Sequence, residues 1–289
     1  MAALLGPEAR VWDKTIGMEV IRKMLTRRLS LYLILTILVV ALLLALGCSA
    51  SGEDRNDITG SGVLETRQFD YVDFTQLALS QGFQANVNQA DSFSVSLTMD
   101  DNMYDYLDMK QTEGKLYINL EGGSYREYTA KVNITMPELR SLELSASSAA
   151  VVTDFLIEGA LDLDAQASST IMFSNVQAAS VRCRASSSSM VFGRIDMDDG
   201  DFTVVASSAL QLEGSAESVS LDVTSSSSVN LAKFDVVDMS IELSAASSGI
   251  VNVSGRLDLG VHAVSYLQYF GDPIIGDYDV STGSRVERG

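Results

Sequence analysis

The sequence predicts an all-β protein, a parallel β-solenoid (β-helix) with coils of about 20 residues behind a less regular N-terminal β-region. Three observations carry that expectation. Short clusters of Ser and Ala recur through the second half of the chain. Apolar and polar residues alternate in phase before each cluster. One serine column runs through all of them.

Taking the small residue that opens each cluster as an anchor gives Ala146, Ala167, Ala185, Ala206, Ser225, Ala245 and Ala263, spaced by 21, 18, 21, 19, 20 and 18 residues. Two positions before the anchors stand Leu144, Ala165, Cys183, Val204, Val223, Leu243 and Val261. Four positions before them stand Leu142, Leu163, Val181, Phe202, Leu221, Ile241 and Leu259. The residues between are polar or small except Val205, so each stretch reads as a strand with one buried and one wet face. The column three residues before the anchors is outward and reads Glu143, Asp164, Arg182, Thr203, Asp222, Glu242 and Gly260.

Two positions after the anchors stand Ser148, Ser169, Ser187, Ser208, Ser227, Ser247 and Ser265. A small side chain permits a sharp corner, and its hydroxyl can bond backbone groups of its own turn or of the adjacent coil. These serines read as structural ladders, because a nucleophile needs a base within reach and the chain has one histidine, His262. A unit of about 20 residues cannot bury its own apolar face, whereas coils stacked at about 4.8 Å bury all of them together. A β-sandwich would also show short strands but has no reason to keep one serine column.

Residues 57–140 are less regular and are expected to form a wider or capping β-region, continuous with the repeats of 141–289. Alternation shows in Phe93–Met99 and Lys115–Leu120, with a short helix expected around Asn102–Leu107.

The N-terminus carries an export signal. Arg22, Lys23, Arg27 and Arg28 precede an uncharged apolar stretch from Leu29 to Gly52. Its ending, Leu44-Ala45-Leu46-Gly47-Cys48, resembles a bacterial lipobox, in which the cysteine takes the lipid and becomes the new N-terminus. Residues 1–47 are therefore expected as signal peptide, with 1–23 a start-site artefact if translation begins at Met24. Residues 48–56 follow as a lipidated linker. The competing reading is an uncleaved single transmembrane helix. Loss of 1–47 removes six of the 20 Lys and Arg but three of the 38 Asp and Glu, leaving the rest more acidic than the full chain's −18. Such a surface repels nucleic acid. With Cys48 acylated, Cys183 has no partner for an intramolecular disulfide.

Gly60-Ser61-Gly62, the Leu77–Phe83 segment, the Leu-Ser-Ala-Ser-Ser type repeats, Tyr269-Phe-Gly-Asp-Pro and Ser281-Thr-Gly-Ser-Arg-Val together resemble the auto-transporter adhesin family with the head GIN domain. The resemblance covers nearly all of residues 57–289. It implies a β-helical extracellular domain, often behind a lipoprotein leader, and brings no catalytic residues. Where glycine is expected at many corners, this chain has Ala or Ser.

The function expected is that of a cell-envelope lipoprotein, held to the membrane through its N-terminal lipid, whose solenoid binds an extracellular polysaccharide or surface protein without catalysis. The alternative is a β-helix polysaccharide lyase or hydrolase, which needs grouped carboxylates or a carboxylate with Lys or Arg in a groove. No Walker or dinucleotide motif is present, and no cofactor is expected. The run Asp196–Asp201 and the pair Asp100-Asp101 read as exposed acidic turns rather than calcium loops. His262 reads as a lone outward histidine without a metal or triad. Asp222 and Glu242, stacked like charges without a basic neighbour, are the candidate face for a cation or a basic ligand group.

Overall fold

The computed structural model describes residues 57–289, so the leader, Cys48 and the linker lie outside the described residues. Within that span the parallel β-solenoid is present, with about seven turns. The core column Leu142, Leu163, Cys183, Phe202, Leu221, Ile241 and Leu259 runs through successive coils. Each of these side chains is at most 4% exposed. In the strand Ser228–Leu243 the alternation pauses at Ala232-Lys233 and at Val237-Asp238, where two neighbours are both exposed. Each pause lets the chain bend while the next apolar residue still points inward. With the serine corner this makes three bends per coil.

The corners explain how Ala and Ser replace glycine. Two consecutive residues take left-handed backbone, as in Ala146-Ser147, Ala206-Ser207 and Ala263-Val264, with φ between 48° and 65° at these six. Each costs an L residue roughly 1–2 kcal/mol. A hydrogen-bond ladder offsets that cost: the second residue's N–H donates to the first residue's carbonyl in the next coil, from Ser147 to Ala167 through Ala246 to Ala263. The residue after the pair is a buried serine. From Ser169 onward its N–H donates to the Oγ of the next coil's serine at 3.1–3.3 Å, ending on Ser284. From Ser189 onward the column is thus a buried polar ladder in an apolar interior, with each hydroxyl answering a backbone donor that the left-handed turn leaves free, whereas the Ser169 hydroxyl donates to the Gln166 carbonyl and the Ser148 hydroxyl has no partner.

Ser187 does not belong to it. The buried member of that coil is Ser189, while Ser187 and Ser188 form the left-handed pair. The coil is therefore displaced by two residues from the sequence register, and the corner spacing through Ala167, Ser187 and Ala206 becomes 20 and 19. Cys183 accordingly pairs with Leu163 and Phe202, not with Ala165 and Val204. In Ala185-Ser-Ser-Ser-Ser189 every residue is small enough for the corner, so only the stacking decides which two turn.

The stack begins earlier than residue 141. Gln76–Leu79 and Gln84–Gln89 flank a left-handed Gln81-Gly82 and pair in parallel with Ser141–Leu144 and Ala149–Thr153. Beyond this coil the order changes. Ala130–Met136 pairs in parallel with Gln84–Gln89, Ser94–Asp100 runs antiparallel to it, and Leu64–Phe69 runs antiparallel to that. On the other side, Lys115–Leu120 pairs with Gln76–Leu79, and Leu107–Thr112 folds back on it as a hairpin. The expected short helix is a 3-10 turn at Asp101–Tyr106.

Asp100 is not an exposed turn residue. It is 2% exposed, and its two oxygens accept from the N–H groups of Gly62 and Thr129, each at 2.7 Å. A Cβ at Gly60 would lie 2.8 Å from the Asp100 carboxyl, so Gly60-Ser61-Gly62 is a clasp closing on that carboxylate. Asp101 does stay at the surface, accepting from the Ser61 hydroxyl. The acidic run Asp196–Asp201 lies within the strand Met190–Val204 rather than in a turn, with Met197 and Gly200 inward.

Candidate binding face

The strands before each serine corner project two outward rows. One reads Ser141, Asp162, Arg182, Asp201, Ser220, Ser240 and Asp258. The other reads Glu143, Asp164, Arg184, Thr203, Asp222, Glu242 and Gly260. The two-residue displacement therefore moves Arg182 out of the column in which the sequence placed it. It pairs with Asp162 at 2.6 Å, and Arg184 takes the place between Asp164 and Thr203.

Around these arginines lies a shallow trough of about 270 Å³, lined also by Glu143, Asp162, Asp164 and Asp201. Partial burial, with the Glu143 carboxylate alongside, pushes the Asp164 carboxyl above the usual carboxylate range, while Arg184 pulls it back. Its Oδ1 is shielded and has no hydrogen-bond partner. Glu143 is itself held by Lys115 at 2.6 Å. The middle of the face thus alternates acid and base, and the exposed carboxylates of Asp162 and Asp201 are open to a ligand's hydroxyls.

Asp222 and Glu242 are direct neighbours across adjacent coils. A Cβ at Gly260 would meet the Glu242 Oε2 at 2.0 Å, so the Glu242 carboxylate lies over that glycine. His262 is not alone, since its Nε2 is 3.8 Å from Glu242 and 3.9 Å from Asp279. Among the described residues no three His, Cys, Asp or Glu are grouped to hold a metal ion. Asp222 and Glu242 are adjacent carboxylates without a third ligand.

Cys183 points inward between the rows and is 3% exposed. Burial, with a smaller contribution from Asp164, pushes its thiol up to about 12. An unfolded cysteine ionises near 8.5, so at pH 8 the thiolate forms readily only after unfolding. Modification by a maleimide should be slow in the native protein and fast in urea. Rapid native labelling would contradict the inward placement.

The profile of the family described as "Putative auto-transporter adhesin, head GIN domain" matches residues 73–273. The chain belongs to this family. As a head GIN protein it is similar to a "putative adhesin" from Parabacteroides merdae, with 15% identity over 81% of this chain and 99% of that one and a TM-score of 0.74. A "putative adhesin" from Parabacteroides distasonis is 17% identical over 81% and 100%, with a TM-score of 0.75. A "putative lipid binding protein" from the same species is 18% identical over 81% and 99%, at 0.73. At such identities the likeness concerns the fold. No curated protein matches the sequence. Among the described residues no helix is long and apolar enough to cross a membrane.

The outward rows were readable in the sequence from their alternation, apart from the displaced coil. Sequence reasoning missed the hold of Lys115 on Glu143, because the strand carrying Lys115 joins the stack from the cap. No local pattern marks that junction.

Proposed function

We propose that this head GIN protein is a cell-envelope lipoprotein, fixed to a membrane by a lipid on Cys48, whose solenoid holds an extracellular polysaccharide without cleaving it. The observation that carries the reading is the pair of outward rows. Successive coils present carboxylates, guanidinium groups and hydroxyls at about 4.8 Å intervals. A long array of individually weak contacts suits a polymer with repeating hydroxyls, because linked contacts add up to avidity. The family description supports a binding role. The lipobox-like sequence ending at Cys48 supports the anchor.

The full-length protein in detergent should be retained on a panel of insoluble polysaccharides and release no new reducing ends or unsaturated products. Released products would favour the lyase or hydrolase reading, and retention on matrix proteins alone would move the partner to a surface protein. Cells fed a radioactive fatty acid should label the protein, and Cys48→Ser should abolish the label. Undiminished label in that variant would exclude Cys48 as the anchor.

A further inference from the structure

A separate hollow of about 210 Å³ lies where the cap meets the first coils. It arises from one small residue in a row of large ones. Ala78 is the direct neighbour of Tyr117 on one side and Glu143 on the other. Two strand spacings, about 9–10 Å, therefore separate the Tyr117 and Glu143 backbones; the residue directly between them contributes only a methyl group, and Lys115 crosses beside it to reach Glu143. The hairpin strand Leu107–Thr112 raises a rim with Asp108 and Lys110. Ser80 and Ser145, joined by a hydrogen bond at 3.0 Å, line the hollow, as does Asn119.

Charge, polarity and size together define the occupant. Each carboxylate here has a lysine: Glu143 has Lys115 at 2.6 Å and Asp108 has Lys110 at 4.0 Å. A charged ligand would compete with one of these pairs, so the hollow suits a neutral molecule. The Asn119 Oδ1 is shielded from solvent and has no hydrogen-bond partner. An acceptor left so costs about 1–3 kcal/mol in the free protein, and a turn of the amide that brings this oxygen into the hollow would let a ligand donor relieve it. The carboxylates keep further lone pairs for hydroxyl donors. The Ala78 methyl and the Tyr117 ring, whose centroid is 5.6 Å from the Lys110 ammonium and 5.8 Å from that of Lys115, offer apolar surface to a C–H face that would share the ring with these lysines. At about 210 Å³ the space is smaller than the roughly 300–1,000 Å³ of drug-sized sites, so it takes a single ring.

We infer that the hollow between Tyr117, Ala78 and Glu143 binds one neutral pyranose unit, with the sugar's C–H groups against Tyr117 and a hydroxyl donating to Asn119. This deepens the polysaccharide reading and rests on it, since a pocket at one end of the ladder would hold a terminal or branch sugar while the rows hold the chain.

The test is saturation-transfer NMR on the full-length protein in detergent, with the methyl glycosides of glucose, galactose, mannose and N-acetylglucosamine as probes and methyl glucuronide as the charged control. At least one neutral glycoside should receive magnetisation, most strongly at its ring C–H protons, and the glucuronide should receive little. Tyr117→Ala should weaken that binding about tenfold. Ala78→Trp, which fills the hollow, should abolish it. Asn119→Leu should also weaken binding while leaving the thermal midpoint unchanged or raised, a combination that a merely structural asparagine would not give. No transfer to any neutral glycoside, or equal transfer in Tyr117→Ala and Ala78→Trp, overturns the inference. If Ala78→Trp loses the glycosides but full-length wild type is retained on no polysaccharide, the pocket stands and the extended face falls. If polysaccharide is retained and no glycoside binds, the reverse holds.

Discussion

Phe202→Ala is expected to cost about 3–5 kcal/mol, read as a lower urea midpoint with an unchanged slope. The ring is 2% exposed and fills space that its neighbours leave. In its column the coil before contributes Cys183, smaller than the leucines and isoleucine found elsewhere in that column. In its own strand, Gly200 makes room, since a Cβ there would lie 2.5 Å from the Phe202 ring. Truncation would open a cavity beside Cys183 and Gly200, with Leu221 and the Met197 sulfur also near it, so the loss should fall within that range. Gly200→Ala should be harmful alone yet partly restorative beside Phe202→Ala, because its methyl then enters the vacated space. By contrast Arg182→Ala should change stability by about 0–1 kcal/mol, since Arg182 and Asp162 are 70% and 51% exposed in their side chains. Equal losses from Phe202→Ala and Arg182→Ala would contradict the packing described.

That contrast also shows what the sequence can and cannot carry. Inward and outward assignment of Phe202 follows from period-two alternation, which survives a register error of two residues because two is the period itself. The same error sends Arg182 to a different partner and Ser187 out of the ladder, because pairing across coils depends on absolute register. In the other corners one Ala or Ser followed by small residues happens to coincide with the left-handed pair. Between Ala185 and Ser189 five small residues in succession leave the choice to hydrogen bonding between coils.

The cap was legible only as alternation. Its order comes from antiparallel partners far apart in sequence, as when Leu64–Phe69 reaches Ser94–Asp100, and no repeat marks such pairs. The Gly60-Ser61-Gly62 motif was visible, but its physical reason, the buried Asp100 carboxylate, appears only once both are placed. The hollow is less legible still. It needs Ala78, Tyr117 and Glu143 on three adjacent strands, and an alanine within a strand carries no mark of being a gap.

Gly193→Ala should destabilise by about 2–6 kcal/mol, adding backbone strain to a steric clash. Gly193 has φ +122°, beyond the left-handed region that the corner Ala and Ser residues occupy. A Cβ there would lie 2.1 Å from the Phe173 carbonyl oxygen and 2.7 Å from the Phe173 nitrogen, both backbone atoms of the preceding coil. That coil bulges at the same place. Pairing steps from Phe173–Gly193 to Val176–Ile195, so two residues, Ser174 and Asn175, face the single Arg194. Gly193 is thus where a longer coil stacks on a shorter one, and only a missing side chain lets the backbones approach. Gly62→Ala provides the comparison. Its φ is +80°, and nothing lies within 4 Å of the added methyl, so the conformational cost alone applies, about 1–2 kcal/mol. Because a solenoid transmits strain through nearest-neighbour coils, Gly193→Ala should also speed amide exchange in Thr170–Phe173 and Met190–Phe192 before it does so in the strand Arg256–Val261. Uniform acceleration along the whole stack, or a loss no greater than that of Gly62→Ala, would mean that the bulge can open to admit the methyl group and that the close approach at Gly193 is not what fixes the register of these two coils.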